Sequence, residues 1–124
     1  MRYLLDANVV IFVLSGQHPS IRERMGQCRE TDFVTSSIVY AEVALGSARG
    51  KPPPIEVLDQ FVQSVPVLDF DRAAAQAYST LPFKRASYDR LIAAHALALG
   101  LTVVTDNLGD FADVPGLVVE NWTV

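Results

Sequence analysis

Acidic side chains carry the chemistry that this sequence could do. Asp6 closes the apolar run Tyr3-Leu4-Leu5. Glu42 sits among Val39, Tyr40, Ala41, Val43, Ala44 and Leu45, where a solvated surface acid is out of place. Asp89 follows Ser87-Tyr88 at the head of an apolar segment, and Asp106 with Asn107 follows Thr102-Val103-Val104-Thr105, with Asp110 a turn farther on. Carboxylates packed into one pocket repel one another and raise each other's pKa, so a cluster of this kind calls for a cation. Mg²⁺ suits it, because it takes oxygen ligands in an octahedron, keeps several of its waters and needs only one or two carboxylates. A cation so held activates water and neutralises charge on a phosphate under attack. Each acid also has a plainer use: Asp after a strand serves turns and helix caps, and Asp89 at a helix N-terminus suits the helix dipole. The chemistry therefore depends on whether folding brings the acids together.

Alternating strands and helices would do so. Tyr3–Leu5 reads as a short strand and Val9–Leu14 as a short buried helix, ended by Ser15-Gly16. Pro19 opens a polar helix through Gln27. Phe33–Ser36 is a second strand. Ser37 is placed to cap a helix from Ile38 to Ala48, with Ile38, Ala41 and Leu45 on its apolar face. Gly50-Lys51-Pro52-Pro53-Pro54 reads as a turn, with Pro54 at a first helical position and Ile55, Leu58 and Val62 marking the helix beyond. Val65–Leu68 is a third strand, Asp71 caps the alanine-rich helix Arg72–Thr80, and Ser87 caps Tyr88–Leu99, which Gly100 ends. Thr102–Thr105 and Val118–Glu120 are the last strands. Such alternation implies an α/β fold, a three-layer α/β/α sandwich on a mainly parallel sheet with right-handed crossovers. In sheets of this kind ligands bind beyond the carboxyl ends of the strands, which is where Asp6, Glu42, Asp89 and Asp106 fall.

The 124 residues fit one domain, 1–124, and 50% hydrophobic against 19% charged residues describes a compact globular chain rather than a disordered one. One cysteine, Cys28, excludes an internal disulfide and a cysteine zinc site. Asp6 interrupts the N-terminal apolar run too early for a signal peptide, and Leu91–Val104 is too short to span a bilayer, so the expectation is a soluble, cytoplasmic protein without membrane association. A net charge of −4 argues against a simple nucleic-acid binder, but a bound cation reverses the sign of an acidic pocket locally. Positive side chains are left to line a rim: Arg22, Arg24 and Arg29, then Arg49 and Lys51, then Lys84, Arg85 and Arg90. His95 on an apolar helix reads as a packed core residue and His18 as a loop residue, which leaves no acid–base histidine pair. Asp32, Asp59, Asp69 and Asp113 read as ordinary loop or surface acids. Phosphate-binding loops, dinucleotide fingerprints and nucleophile elbows are absent from the sequence.

Four segments resemble, in order, the motifs of PIN-domain ribonucleases, specifically the VapC-type toxins of bacterial toxin–antitoxin pairs. They are Leu4-Leu5-Asp6-Ala7-Asn8, Ser36-Ser37-Ile38-Val39-Tyr40-Ala41-Glu42-Val43, Tyr88-Asp89-Arg90-Leu91-Ile92-Ala93-Ala94-His95-Ala96, and Leu101-Thr102-Val103-Val104-Thr105-Asp106-Asn107 with Phe111. The ending Pro115-Gly116-Leu117 to Glu120-Asn121-Trp122 fits as well. The resemblance implies a PIN fold, dependence on Mg²⁺ or Mn²⁺, and endonucleolytic cleavage of RNA, with tRNA the expected substrate. Another structured RNA is the alternative substrate, and inhibition of translation the result. The resemblance also implies a cognate VapB-type antitoxin, a homodimer and a toxin–antitoxin hetero-oligomer in the bacterial cytoplasm. On it, Asp6 and Asp89 match the principal metal ligands, Glu42 a third acid that positions metal and water, and Asn8, Ser37 and Thr105 polar residues lining the substrate pocket. The fourth acidic position aligns best with Asn107, with Asp106 or Asp110 able to supply the charge. The stretch Leu81 to Ser87 is shorter than such relatives have.

Two other readings stand beside this one. A catalytically silent binding module would keep the architecture without metal affinity, although Asp6, Glu42 and Asp89 are all retained. A phospho-acceptor signalling domain needs a lysine after a late strand, and the only lysines, Lys51 and Lys84, do not follow the Thr102 strand.

Overall fold

The protein is described by a computed structural model covering residues 1–82 and 84–124; Phe83, inside the short stretch before Ser87, lies outside the described residues. Among the described residues five strands, β1 (Tyr3–Leu5), β2 (Phe33–Ser36), β3 (Val67–Leu68), β4 (Thr102–Val104) and β5 (Val119–Glu120), form a sheet in the order β3-β2-β1-β4-β5. Every pairing is parallel, with Tyr3 opposite both Phe33 and Thr102, and Leu5 opposite Val104. Among the described residues six helices flank it: α1 (Ala7–Ser15), α2 (Pro19–Gly26), α3 (Ser37–Ala48), α4 (Ile55–Phe61), α5 (Arg72–Ser79) and α6 (Tyr88–Leu99). The α/β architecture read from the sequence is thus the one adopted. Among the described residues no helix is long and apolar enough to cross a membrane.

The central strands are short and apolar because both of their faces are covered. Leu4, Leu5, Val103 and Val104 are fully buried, and Ile92, Ala93 and Ala96 of α6 pack into the same core. Tyr3 and Phe33, neighbours across β1 and β2, stack at 5.8 Å, and Trp122 meets Tyr3 edge-on at 4.8 Å, so the C-terminal segment seals that face. Gly100 ends α6 in the left-handed conformation that glycine adopts without strain.

Several local expectations are corrected. Asp6 itself is the N-cap of α1, which begins at Ala7 rather than Val9. Ser36, not Ser37, caps α3: its hydroxyl accepts the Ile38 N–H at 3.1 Å, and Ser37 is the first helical residue. The buried stripe of α3 is Val39 and Val43, while Ala41 and Leu45 face outward, Leu45 being 50% exposed. The apolar composition of α3 is nearly uniform around the helix, so the pattern alone does not choose a face. β3 begins at Val67, two residues late, and β4 stops at Val104, although the Thr105 N–H still reaches Glu120 O at 3.0 Å. Pro54 is the N-cap of α4 rather than its first residue, and Val62 caps its other end.

Candidate active site

Order 3-2-1-4-5 reverses direction between β1 and β4, and the crevice beyond their carboxyl ends is where α/β sheets present ligand sites. Asp6 emerges there. Its Oδ1 accepts the Ala7 N–H at 2.8 Å, its backbone N–H donates to Val104 O at 3.0 Å, and its Oδ2 accepts from the Thr105 hydroxyl at 2.8 Å. Burial, which leaves it 6% exposed, raises its pKa; the Thr105 and Ala7 hydrogen bonds pull the other way, and the charges of Asp106 and Asp110 add to the rise. Thr105, fully buried, also accepts the Asn107 N–H at 3.1 Å, so one hydroxyl orients Asp6 and the turn after β4 together.

Glu42 projects from α3, one and a half turns beyond the end of β2. Desolvation, then the charge of Asp6, pushes its pKa up to about 7, and its Oε1 is buried with no hydrogen-bond partner among the described residues. Asp89 stands in the first turn of α6, whose N-cap Ser87 accepts the Arg90 N–H at 3.3 Å. Its pKa is also raised to about 7, first by desolvation, then by a hydrogen bond with Asp110, then by the charges of Asp6, Asp110 and Glu42. The charges that raise the pKa values of Asp6, Glu42 and Asp89 are those of other carboxylates. Folding therefore brings together acids that lie far apart in sequence.

Asp110 stands in the same group. It adds to the rise in the Asp89 pKa and accepts from the Asn107 amide, so Asn107 positions an acid at this end of the group. Its only signal in the sequence is the three-residue step from Asn107, bridged by a single 3₁₀ turn (Leu108–Asp110). Asp106 lies on the Asp6 side and accepts from Asn8 Nδ2 at 3.2 Å. Ser37, expected to line the pocket, uses its hydroxyl to accept the Phe70 N–H at 3.0 Å. His95, 2% exposed, is the packed residue expected: Nδ1 lies 2.8 Å from the Ser36 hydroxyl, Phe70 meets the ring edge-on at 5.5 Å, and burial lowers its pKa despite Asp71 and Asp69. The His95–Ser36 bond links α6, which carries Asp89, to the cap of α3, which carries Glu42. The surface acids are structural as well: Asp113 binds Lys84 at 2.6 Å and Arg90 at 3.2 Å, and Asp59 accepts from the Tyr40 hydroxyl.

The donor set suits an aquated divalent cation. Among the described residues no three His, Cys, Asp or Glu side chains already close into a metal cage. A hard cation that keeps most of its water and takes one or two carboxylates has no need of one. The orphaned Glu42 Oε1 and the uncompensated repulsion among the acids are the features that such an ion would relieve.

The sequence matches the PIN domain over residues 3–117. It is 34% identical to the tRNA(fMet)-specific endonuclease VapC of Salmonella typhimurium over 98% of each chain, and 31% identical to the protein of the same name from Shigella flexneri over 99% of each. In structure it is similar to VapBC2 of Rickettsia felis, solved bound to a DNA fragment from its promoter: TM-score 0.86, 28% identity, 98% of this chain and 99% of that one covered.

Proposed function

The chain belongs to the PIN-domain family, as a VapC endoribonuclease toxin, and from that premise we propose that Asp6, Glu42, Asp89 and Asp110 form its catalytic site and that tRNA is its substrate. PIN nucleases are typically metal-dependent, and Mg²⁺ or Mn²⁺ is the ion this oxygen-rich set would take, with Asp6 and Asp89 as ligands. When bound, the ion supplies Lewis acidity to the scissile phosphate and lowers the pKa of water. The chain's own groups do the rest. Thr105 and the Ala7 N–H hold Asp6 in one orientation. Glu42, with a pKa near neutrality and one oxygen unengaged, accepts the proton of the attacking water as general base. Asn107 steadies Asp110 against Asp89, and Asn8 steadies Asp106. Thr105 closes the polar floor beneath Asp6, and Ser37 holds Phe70 beside it.

The observation that carries this reading is the convergence of acids distant in sequence, whose charges raise one another's pKa. By the same kinship, residues 1–124 act as one domain that dimerises, binds a VapB-type antitoxin and works in the bacterial cytoplasm. The Rickettsia felis relative is itself a VapBC complex. The test is incubation of the purified protein with tRNA and total RNA, with Mg²⁺ and with chelator, followed by mapping of new ends. Discrete cleavage that needs the metal and vanishes in Asp6→Asn and Asp89→Asn is expected. Equal cleavage by those variants or by the chelated sample contradicts it.

A further inference from the structure

A groove of about 290 Å³ runs between α1 and α3, starting at Asn8 and Glu42 and ending at Arg49 and Lys51. We propose that this groove holds the stretch of RNA next to the scissile bond, with Arg49 and Lys51 gripping its phosphates. The inference rests on the carboxylate pocket as the place of cleavage.

Three features build the far end of the groove. Gly50, at φ +83, turns the chain back on α3 in a conformation that favours glycine. Gly46 O accepts from both Arg49 N, at 3.1 Å, and Lys51 N, at 2.9 Å, and the Ser47 hydroxyl bonds Pro53 O, so both cations are anchored beside one helical turn. The four-residue step from Glu42 to Gly46 advances roughly 6 Å along the helix, a span suited to a neighbouring nucleotide. Gly46 forms the floor. An added Cβ would meet only Lys51 Cβ, at 3.8 Å, so packing does not require glycine there, although glycine is a poor helix former. What its missing side chain leaves is depth in the groove.

Charge fits this rim to a polyanion. In a chain of net charge −4, Arg24 is engaged with Glu120 and the Trp122 ring, Arg22 with Val13 O, and Lys84 and Arg90 with Asp113, while Arg85 stands in a separate pocket beside Asp89 and Asp110. No ion pair among the described residues includes Arg49 or Lys51. Ile11 and Leu45, the latter half exposed, give the groove apolar walls on which a base or ribose can rest. A polyanion with flat apolar faces matches two cations and an apolar wall leading away from an acidic centre.

The experiment measures RNA affinity apart from cleavage. In an Asp6→Asn background, a fluorescent unstructured oligoribonucleotide is titrated by anisotropy across a range of salt. Arg49→Ala with Lys51→Ala should weaken binding about tenfold and flatten the slope of log Kd against log salt by about 1.4, at roughly 0.7 for each phosphate no longer neutralised. Gly46→Leu, the better helix former, should weaken binding while the thermal midpoint holds or rises. Arg72→Ala, another exposed cation, is the control. In the cleaving protein the double variant should lose at least tenfold more kcat/KM on the oligomer than on a dinucleotide too short to reach Lys51. Unchanged affinity and salt slope in the double variant overturn the proposal, as does an equal loss on both substrates; a groove that serves a protein partner alone would give the first result. If the wild-type protein binds RNA through Arg49 and Lys51 but cleaves none, the catalytic reading fails and takes with it the groove's place beside a scissile bond, while the RNA grip of the two cations stands.

Discussion

The hydroxyl of Thr105 donates a 2.8 Å hydrogen bond to Asp6 Oδ2 across 99 residues of sequence, joining the ends of the two central strands at the point where the sheet order reverses. With Ala7 N–H on Oδ1, both oxygens of the carboxylate have a fixed donor. Thr105→Val is isosteric but removes one of them. RNA cleavage should fall about tenfold, with the Mg²⁺ requirement moved to higher concentration, because an unoriented ligand binds and positions the ion less well. Thr105→Ser, which restores the hydroxyl, should recover most of the loss. A metal-titrated rate assay on the three proteins checks this.

The metal-free protein should become more stable as pH falls from 8 to 6. Glu42 and Asp89 have folded pKa values near 7, above their ordinary 4.5 and 3.8, so the folded state binds more protons than the unfolded chain in that window. Unfolding free energy then falls with rising pH, and the contribution is complete only below the unfolded values. Melting curves in chelator at pH 8, 7 and 6 should show the rise in wild type. They should show much less of it in Glu42→Gln with Asp89→Asn, which should also melt higher than wild type at pH 8.

His95 acts in the opposite sense. Its folded pKa is lowered, so it stays neutral in the core and its contribution is lost as pH falls below about 6.5. His95→Ala removes a buried ring and the partner of the Ser36 hydroxyl, a loss of about 2–3 kcal/mol. Denaturant unfolding at pH 7.5 gives the magnitude, and the variant should lack part of the acid-side decline.

Arg90 is 5% exposed and donates to Pro82 O at 2.6 Å as well as to Asp113. It ties the chain leading to Ser87 against α6, one residue from Asp89. Arg90→Ala leaves Pro82 O without its donor and Asp113 with Lys84 alone, and should cost about 3 kcal/mol; Arg90→Lys, without the planar fork, should recover only part of it. Thermal and urea unfolding measure both.

Much of this is readable in the chain because the fold alternates short apolar strands with capped helices. Tyr3–Leu5 ending at Asp6, and Thr102 onward ending at Asp106, put acids at strand ends before any coordinates, and Gly100 closes α6 as its position suggests. Less readable is whatever depends on partners distant in sequence. Ser36 and Ser37 are equivalent as caps locally; the choice follows from His95, 59 residues away, bonding one, and Phe70 bonding the other. α3 carries apolar residues on nearly all sides, so its buried stripe is set by what it packs against. Asp110 joins the site because Asn107 and Asp89 converge on it. Arg49 and Lys51 are distinguishable from other surface cations only once the groove they share with Glu42 is visible.

The most direct test of the acid pocket is calorimetric titration of the chelator-treated protein with Mn²⁺ at pH 7.5, for wild type, Asp6→Asn, Asp89→Asn and, as a surface control, Asp59→Asn. Saturable binding by wild type and Asp59→Asn, weakened at least tenfold in the Asp6 and Asp89 variants, is the expected result, with proton release because the ion displaces protons from Glu42 and Asp89. Equal affinity in all four proteins, or no binding by any, would contradict it.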